Sequence, residues 1–219
     1  MFIGHFGVGF GAKRFAPQVS LGTLFLAGQF VDLLWPVFLL IGIERAAIVP
    51  GVTAVTPIDF QHYPFSHSLL AVVLWSAFLG GVYFAVRGGW RGAVVVALLV
   101  LSHWVLDGLT HRPDLPVSPF DEARVGLGLW NSLPATLAVE VPLFLLGCWL
   151  YARATEAVDG WGRWGFAALV VFLLVIHAMN LFGPPPPSMK AVAWAGQAQW
   201  ILVIWAYWLD RHRTARPVD

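Results

Sequence analysis

The chain has 219 residues, 58% of them hydrophobic and 11% charged, with a formal net charge of +1. An average soluble domain carries roughly 25% charged residues, so the composition excludes a water-facing surface, and the near-balanced charge leaves no basic face for nucleic acid. A mean hydropathy of +0.73 and a single cysteine, Cys148, inside an apolar run describe an integral membrane protein without an intrachain disulfide.

The chain opens with His5 among Gly4, Gly7, Gly9 and Gly11, followed by Lys13 and Arg14. This reverses the basic-then-apolar order of a cleavable signal peptide. Residues 1–14 are too short to span a bilayer. They either form a helix that carries His5 about 12 Å into the membrane, at 1.5 Å per residue, or lie flat on its surface as an amphipathic segment.

Six apolar segments follow, over residues 19–41, 65–86, 91–107, 127–151, 164–182 and 191–209. Each is long enough for about 30 Å of hydrocarbon. Only helices satisfy their backbone inside such segments. The expected fold is therefore all-α: a polytopic transmembrane bundle of about six spanning helices plus a short N-terminal helix, with residues 1–219 as a single integral membrane domain. Pro50-Gly51, Pro57, Gly88-Gly89, Pro113 to Pro119, Gly160 and Pro184 to Pro187 punctuate it.

Counting Lys and Arg by alternate sides gives nine on one face (Lys13, Arg14, Arg87, Arg91, Arg153, Arg163, Arg211, Arg213 and Arg216) and four on the other (Arg45, Arg112, Arg124 and Lys190). The positive-inside bias places both termini in the cytoplasm and turns the loops 42–64, 108–126 and 183–190 outward.

Ionisable side chains inside spans are candidates for function because hydrocarbon excludes them. Asp32 lies late in the first span and His67 opens the second. His103 and Asp107 close the third, Glu140 sits inside the fourth, and His177 lies late in the fifth. On this orientation Asp32, His67, His103, Asp107 and His177 all fall in the outer half of the membrane. His103 and Asp107 are one helical turn apart, and His111 continues their face. A His and carboxylate set suits zinc first, with manganese or iron as alternatives, over the all-oxygen shell of calcium or magnesium. The expected metal ligands are His67, His103, Asp107 and Asp32. Glu140 or Asp32 is the expected general base, and His5, His62, His111, His177 and Arg112 are expected around the substrate or behind the ligands.

Four blocks occur in order: His5 in its Gly-rich opening, Gly28 to Asp32, His62 to Leu70 ending in His-Ser-Leu-Leu, and Ser102 to Thr110 with Ser-His-x-x-x-Asp. Over roughly residues 1–120 this resembles the YdjM-like family of inner-membrane proteins described as LexA-binding, metal-dependent hydrolases. Ser66, Leu34 and Tyr63 depart from that pattern, which more often has Thr, a second acid and Arg there. The resemblance implies a bacterial inner-membrane location and Asp32, His67, His103 and Asp107 acting together.

The resulting expectation is a membrane-embedded metal-dependent hydrolase whose partners are membrane lipids and a small amphiphilic phosphate or ester substrate. A transporter or cation-conducting protein using the same His and Asp cluster is the alternative, and a scaffold whose polar cluster only ties helices together is a third.

Overall fold

The computed structural model describes residues 1–216. In chain order, α1 (Ile3–Ala12), α2 (Leu21–Gly28) and α3 (Phe30–Leu40) lead into a hairpin of β1 (Arg45–Ile48) and β2 (Ile58–His62). The short α4 (Pro64–His67) precedes two long helices, α5 (Leu69–Arg87) and α6 (Trp90–Thr110). A two-residue ladder of β3 (Leu115–Pro116) and β4 (Arg124–Val125) and a 3-10 turn at Leu129–Asn131 lead to α7 (Leu133–Ala154). The chain ends with β5 (Thr155–Ala157), α8 (Gly160–Phe182), α9 (Met189–Gln197), α10 (Gln199–Leu209) and β6 (Arg213–Ala215). All three strand pairs are antiparallel.

Helices α5 to α8 are 19 to 23 residues long with mean hydropathies of 1.7 to 2.3, enough to cross about 30 Å of hydrocarbon. Their outer faces carry large apolar side chains such as Leu74, Phe78, Leu98 and Phe172. Polar side chains turn inward, the arrangement a lipid solvent imposes. Ser20, Ser68, Ser132, Asp159 and Ser188 each accept a backbone N–H at the start of a helix, satisfying donors the helix cannot. The Ser of His-Ser-Leu-Leu thus serves locally, by opening α5.

The expected first span is not continuous. α2 and α3 bend by 54° at Gln29, while Pro36 lies inside α3 without ending it. The expected sixth span, 191–209, is divided at Ala198 into α9 and α10, neither long enough to cross alone. Among the described residues, four continuous spanning helices and one bent pair are what length and hydropathy support. Gln197 and Gln199 flank the second break, and α9 is drawn against α3, where Gln197 Nε2 donates to the Leu33 carbonyl at 3.4 Å.

The N-terminal segment does not lie flat. Every residue of α1 but Val8 is buried, and the helix packs alongside α7 in the same direction, Gly4 and Gly7 against Leu143 and Phe144, Gly11 against Gly147 and Leu150. A Cβ on Gly7 would come within 2.8 Å of the Phe144 Cα, and one on Gly147 would overlap the Gly7 carbonyl. Two backbones this close leave no room for side chains, the small-residue packing of membrane helices. Around them Phe10 meets Phe25, Phe144, Tyr151 and Phe166 at ring distances of 4.8 to 6.2 Å.

Loops gather at the two ends of the bundle. At one end Ala54 N donates to Trp130 O and Leu70 N to Val117 O, both at 3.1 Å. At the other, Lys13 Nζ reaches Asp210 at 3.3 Å and β5 pairs with β6. Met1 departs from that scheme. Expected with the C-terminus at one face, it lies inside the bundle, because α1 extends inward from Lys13 and holds its start at Asp107.

Gly147→Ala should lower stability by about 1–3 kcal/mol through overpacking against α1. Gly81→Ala, in α5 where a Cβ meets nothing within 4 Å, should be neutral or stabilising. Thermal unfolding of the two variants in the same detergent distinguishes them.

Candidate metal centre

α6 provides the base of the centre. One turn separates His103 from Asp107, both are buried, and Nε2 of His103 lies 3.2 Å from Asp107 Oδ2. The bent pair delivers Asp32 in the first turn of α3, with Oδ1 3.6 Å from His103 Nε2. His67, the last residue of α4, places its Nε2 3.4 Å from Asp32 Oδ1 and 3.8 Å from Asp107 Oδ2. His5 enters on α1, its ring stacked on His103 at 3.7 Å between centroids and its Nε2 3.1 Å from Asp107 Oδ1. The N-terminal ammonium also lies 2.5 Å from Asp107 Oδ1. The four expected ligands therefore form one cluster, and His5 belongs to it.

Hydrogen bonds behind the cluster decide which nitrogens face it. His103 Nδ1 donates to the Gly28 carbonyl at 2.8 Å, so a neutral ring carries its lone pair on Nε2, which makes no hydrogen bond. Ser66 Oγ donates to Glu44 Oε2 at 2.6 Å and so accepts from His67 Nδ1 at 2.7 Å. The other Glu44 oxygen accepts the backbone N–H groups of Phe65 and Ser66, each at 2.8 Å. In their neutral forms both imidazoles thus turn a lone pair toward the carboxylates, the arrangement that outer hydrogen bonds give to ligating histidines. Burial raises the Glu44 carboxyl above its usual range, against the opposing hydrogen bonds from Ser66.

The spacing fits a cation. Ligands at 2.0–2.1 Å from a tetrahedral ion stand about 3.3 Å apart, and the imidazole-to-carboxylate separations of 3.2, 3.4, 3.6 and 3.8 Å bracket that value. Asp32, His67 and His103 form one group whose donor atoms lie within 4.8 Å of one another, and His5, His103 and Asp107 form a second. An unpartnered, wholly buried His103 Nε2 costs free energy, and a cation would remove that cost.

The remaining expected residues are placed elsewhere. Glu140 Oε2 accepts the Phe2 backbone N–H at 3.0 Å, near the start of α1, where a carboxylate complements the helix dipole. His177 is buried with neither nitrogen partnered among the described residues, its ring stacked on Phe2 at 6.2 Å. His62 lies on β2, opposite Arg45 in the hairpin. His111 and Arg112 join a loop network: His111 Nδ1 lies 2.9 Å from Asp114 Oδ1, Arg112 pairs with Asp114 and Asp59, and Tyr63 Oη lies 3.2 Å from His111 Nδ1. Burial would raise the Asp114 carboxyl, but the hydrogen bond from His111 and the charge of Arg112 hold it below its usual range. Glu44 is not among the expected residues. Nothing local marks it among the other loop charges, since Ser66 stands 22 positions away.

These features define a class: a multi-pass helical membrane protein with a buried His and Asp centre built from a half-inserted N-terminal helix, a bent helix pair and one spanning helix. The chain matches the family model described as YdjM inner membrane protein over residues 2–184, and it belongs to that family. It is accordingly an inner membrane protein. No curated protein matches the chain, and no solved structure does.

Ser66→Ala severs Glu44 from His67 without touching a donor atom of the cluster. Loss of such outer hydrogen bonds typically weakens metal affinity by about 10–100-fold. Zinc titration of the purified variant against a competing chelator should show a loss of that size, with the unfolding temperature nearly unchanged.

Proposed function

We propose that this protein is a membrane-embedded, metal-dependent hydrolase acting on a lipid or another amphiphilic phosphate or ester. One observation carries the reading: two imidazole lone pairs and two carboxylates, from α3, α4 and α6, converge at ligand spacing in the bundle interior. His67, His103 and Asp107 hold the ion, zinc before manganese or iron, leaving a position open as catalytic sites do. A bound divalent ion acidifies water and polarises a phosphoryl or acyl oxygen.

Asp32 is the member of the cluster with access. Its side chain is 26% exposed, against 4% or less for His67, His103 and Asp107. It stands on the side from which a substrate arrives and accepts the proton of the attacking water. Glu140, the other candidate base, is engaged with the start of α1, and its role is to hold that helix, and so His5, in the bundle. The positive-inside count turns the site toward the outer half of the membrane with the C-terminus in the cytoplasm, where a headgroup enters laterally between helices. Arg112, paired with Asp59 and Asp114 on the adjoining loop, is the cation that would meet such a headgroup.

The break between α2 and α3 beside Asp32 favours one alternative, since transporters bind substrates at interrupted helices. Ion uptake by reconstituted vesicles, lost in Asp32→Asn, would establish that alternative in place of hydrolysis.

Elemental analysis of the purified protein should find stoichiometric metal, and His103→Ala should lose it while remaining folded and inserted. Asp32→Asn should retain metal and lower the turnover of a phospholipid or ester substrate by about 10²–10⁴-fold. Wild-type protein purified without metal, and unable to take it up, ends this reading.

A further inference from the structure

Two side chains next to Asp32 carry buried polar atoms that the fold leaves without a partner among the described residues. Gln29 occupies the bend between α2 and α3 and is 1% exposed, yet neither its Oε1 nor its Nε2 has a hydrogen-bond partner among the described residues. Trp35 is 8% exposed, and its indole Nε1–H is likewise unpartnered. Roughly nine in ten buried polar groups in folded proteins are satisfied, and such orphans are costly. Two so close in the chain, flanking the most exposed acid of the cluster, mark a place where something else supplies the partner.

Their positions are specific. Gln29, at the start of α3, precedes Asp32 by three positions and Asp32 precedes Trp35 by three, so each stands about one turn, or about 4.5 Å of rise, from the acid. Gln29 directly follows Gly28, whose carbonyl holds His103. The Trp35 ring lies against His67 at 6.4 Å between centroids, edge to face, with Phe60 of the hairpin on it at 5.3 Å. The Trp35 ring thus adjoins one ligating histidine, and Gln29 follows the residue whose carbonyl holds the other. An indole N–H only donates, and a primary amide offers two N–H groups. The complementary ligand group is an oxygen acceptor with several lone pairs.

We infer that Gln29 and Trp35 form a substrate subsite that receives the oxygens of a phosphoryl headgroup beside Asp32. The subsite rests on the hydrolase reading above, because a divalent cation must balance Asp32 and Asp107 before an anion can approach them. Within that reading the substrate is a phosphorylated amphiphile whose non-bridging oxygens take the two donors. The two donors lie beneath Asp32, whose side chain is the partly exposed one among the expected ligands. The bend in the first span has a corresponding use, since it sets Gln29 one turn before Asp32 in a buried position, next in the chain to the carbonyl that holds His103.

Inorganic phosphate is the probe. Its binding to zinc-loaded protein in detergent, measured by equilibrium dialysis, should weaken about tenfold or more in Trp35→Phe, which keeps the ring and removes the N–H, and in Gln29→Leu. Gln29→Glu, of the same size with added negative charge, should abolish it. Zinc stoichiometry and unfolding temperature, measured in parallel, should match wild type in all three. Unchanged phosphate affinity in Trp35→Phe and Gln29→Leu, with zinc retained, overturns the subsite and leaves the metal centre standing. So does wild-type protein that holds zinc but binds no phosphate. Loss of zinc in these variants shows the residues supporting the ligands instead and also overturns the subsite. Wild-type protein that takes up no zinc fails the hydrolase reading itself, and the subsite with it.

Discussion

Asp107 is the constraint around which the bundle is arranged. A carboxylate sunk into a low-dielectric interior is tolerated only when oppositely charged or hydrogen-bonding groups surround it. Here one oxygen faces His5 and the N-terminal ammonium, and the other lies 3.2 and 3.8 Å from the His103 and His67 nitrogens, where a cation would join them. These groups come from α1, α4 and α6, so satisfying one acid ties an N-terminal segment, a loop helix and a spanning helix together. Asp32 repeats the arrangement from α3, facing His67 and His103.

The insertion of α1 follows from that requirement and from the glycines that permit it. His5 reaches Asp107 only if the helix carrying it enters the bundle. The helix enters only because Gly7 and Gly147 let two backbones approach closely. Lipid supplies no hydrophobic force between helices, so packing and polar contacts must hold the element in place. Glu140 at the start of α1 and Lys13 bonded to Val19 O and Asp210 at its end serve that purpose. The N-terminal segment is thereby a wall of the centre.

A good deal of the site is legible in the residues themselves. Asp32, His67, His103 and Asp107 stand out because each is ionisable in an apolar run, and the His103–Asp107 spacing shows that two of them share a face. Depth along the spans brings the others to that level. Less is visible in His5, which reads equally well as part of a surface segment, because the contacts that bury α1 lie on α7, far along the chain. Glu44 is hidden for a related reason: a carboxylate in a polar loop carries no sign of where it points. Gln29 sits at a bend that composition does not announce, while the proline inside α3 leaves the helix whole.

Residue order is enough to establish the solvent, the helical class, the places of the long continuous spans and the ionisable side chains that gather in the candidate centre. All of these follow from local properties: hydropathy over a span's length, the cost of a charge in hydrocarbon, and helical spacing. Folding in three dimensions supplies what remains. It sets α1 inside the bundle, bends the first span at Gln29, divides the last at Ala198, sends Glu140 to the start of α1 and brings Glu44 behind His67. Each of those outcomes depends on which backbone or side chain lies opposite, and that is a property of packing between segments distant in the chain.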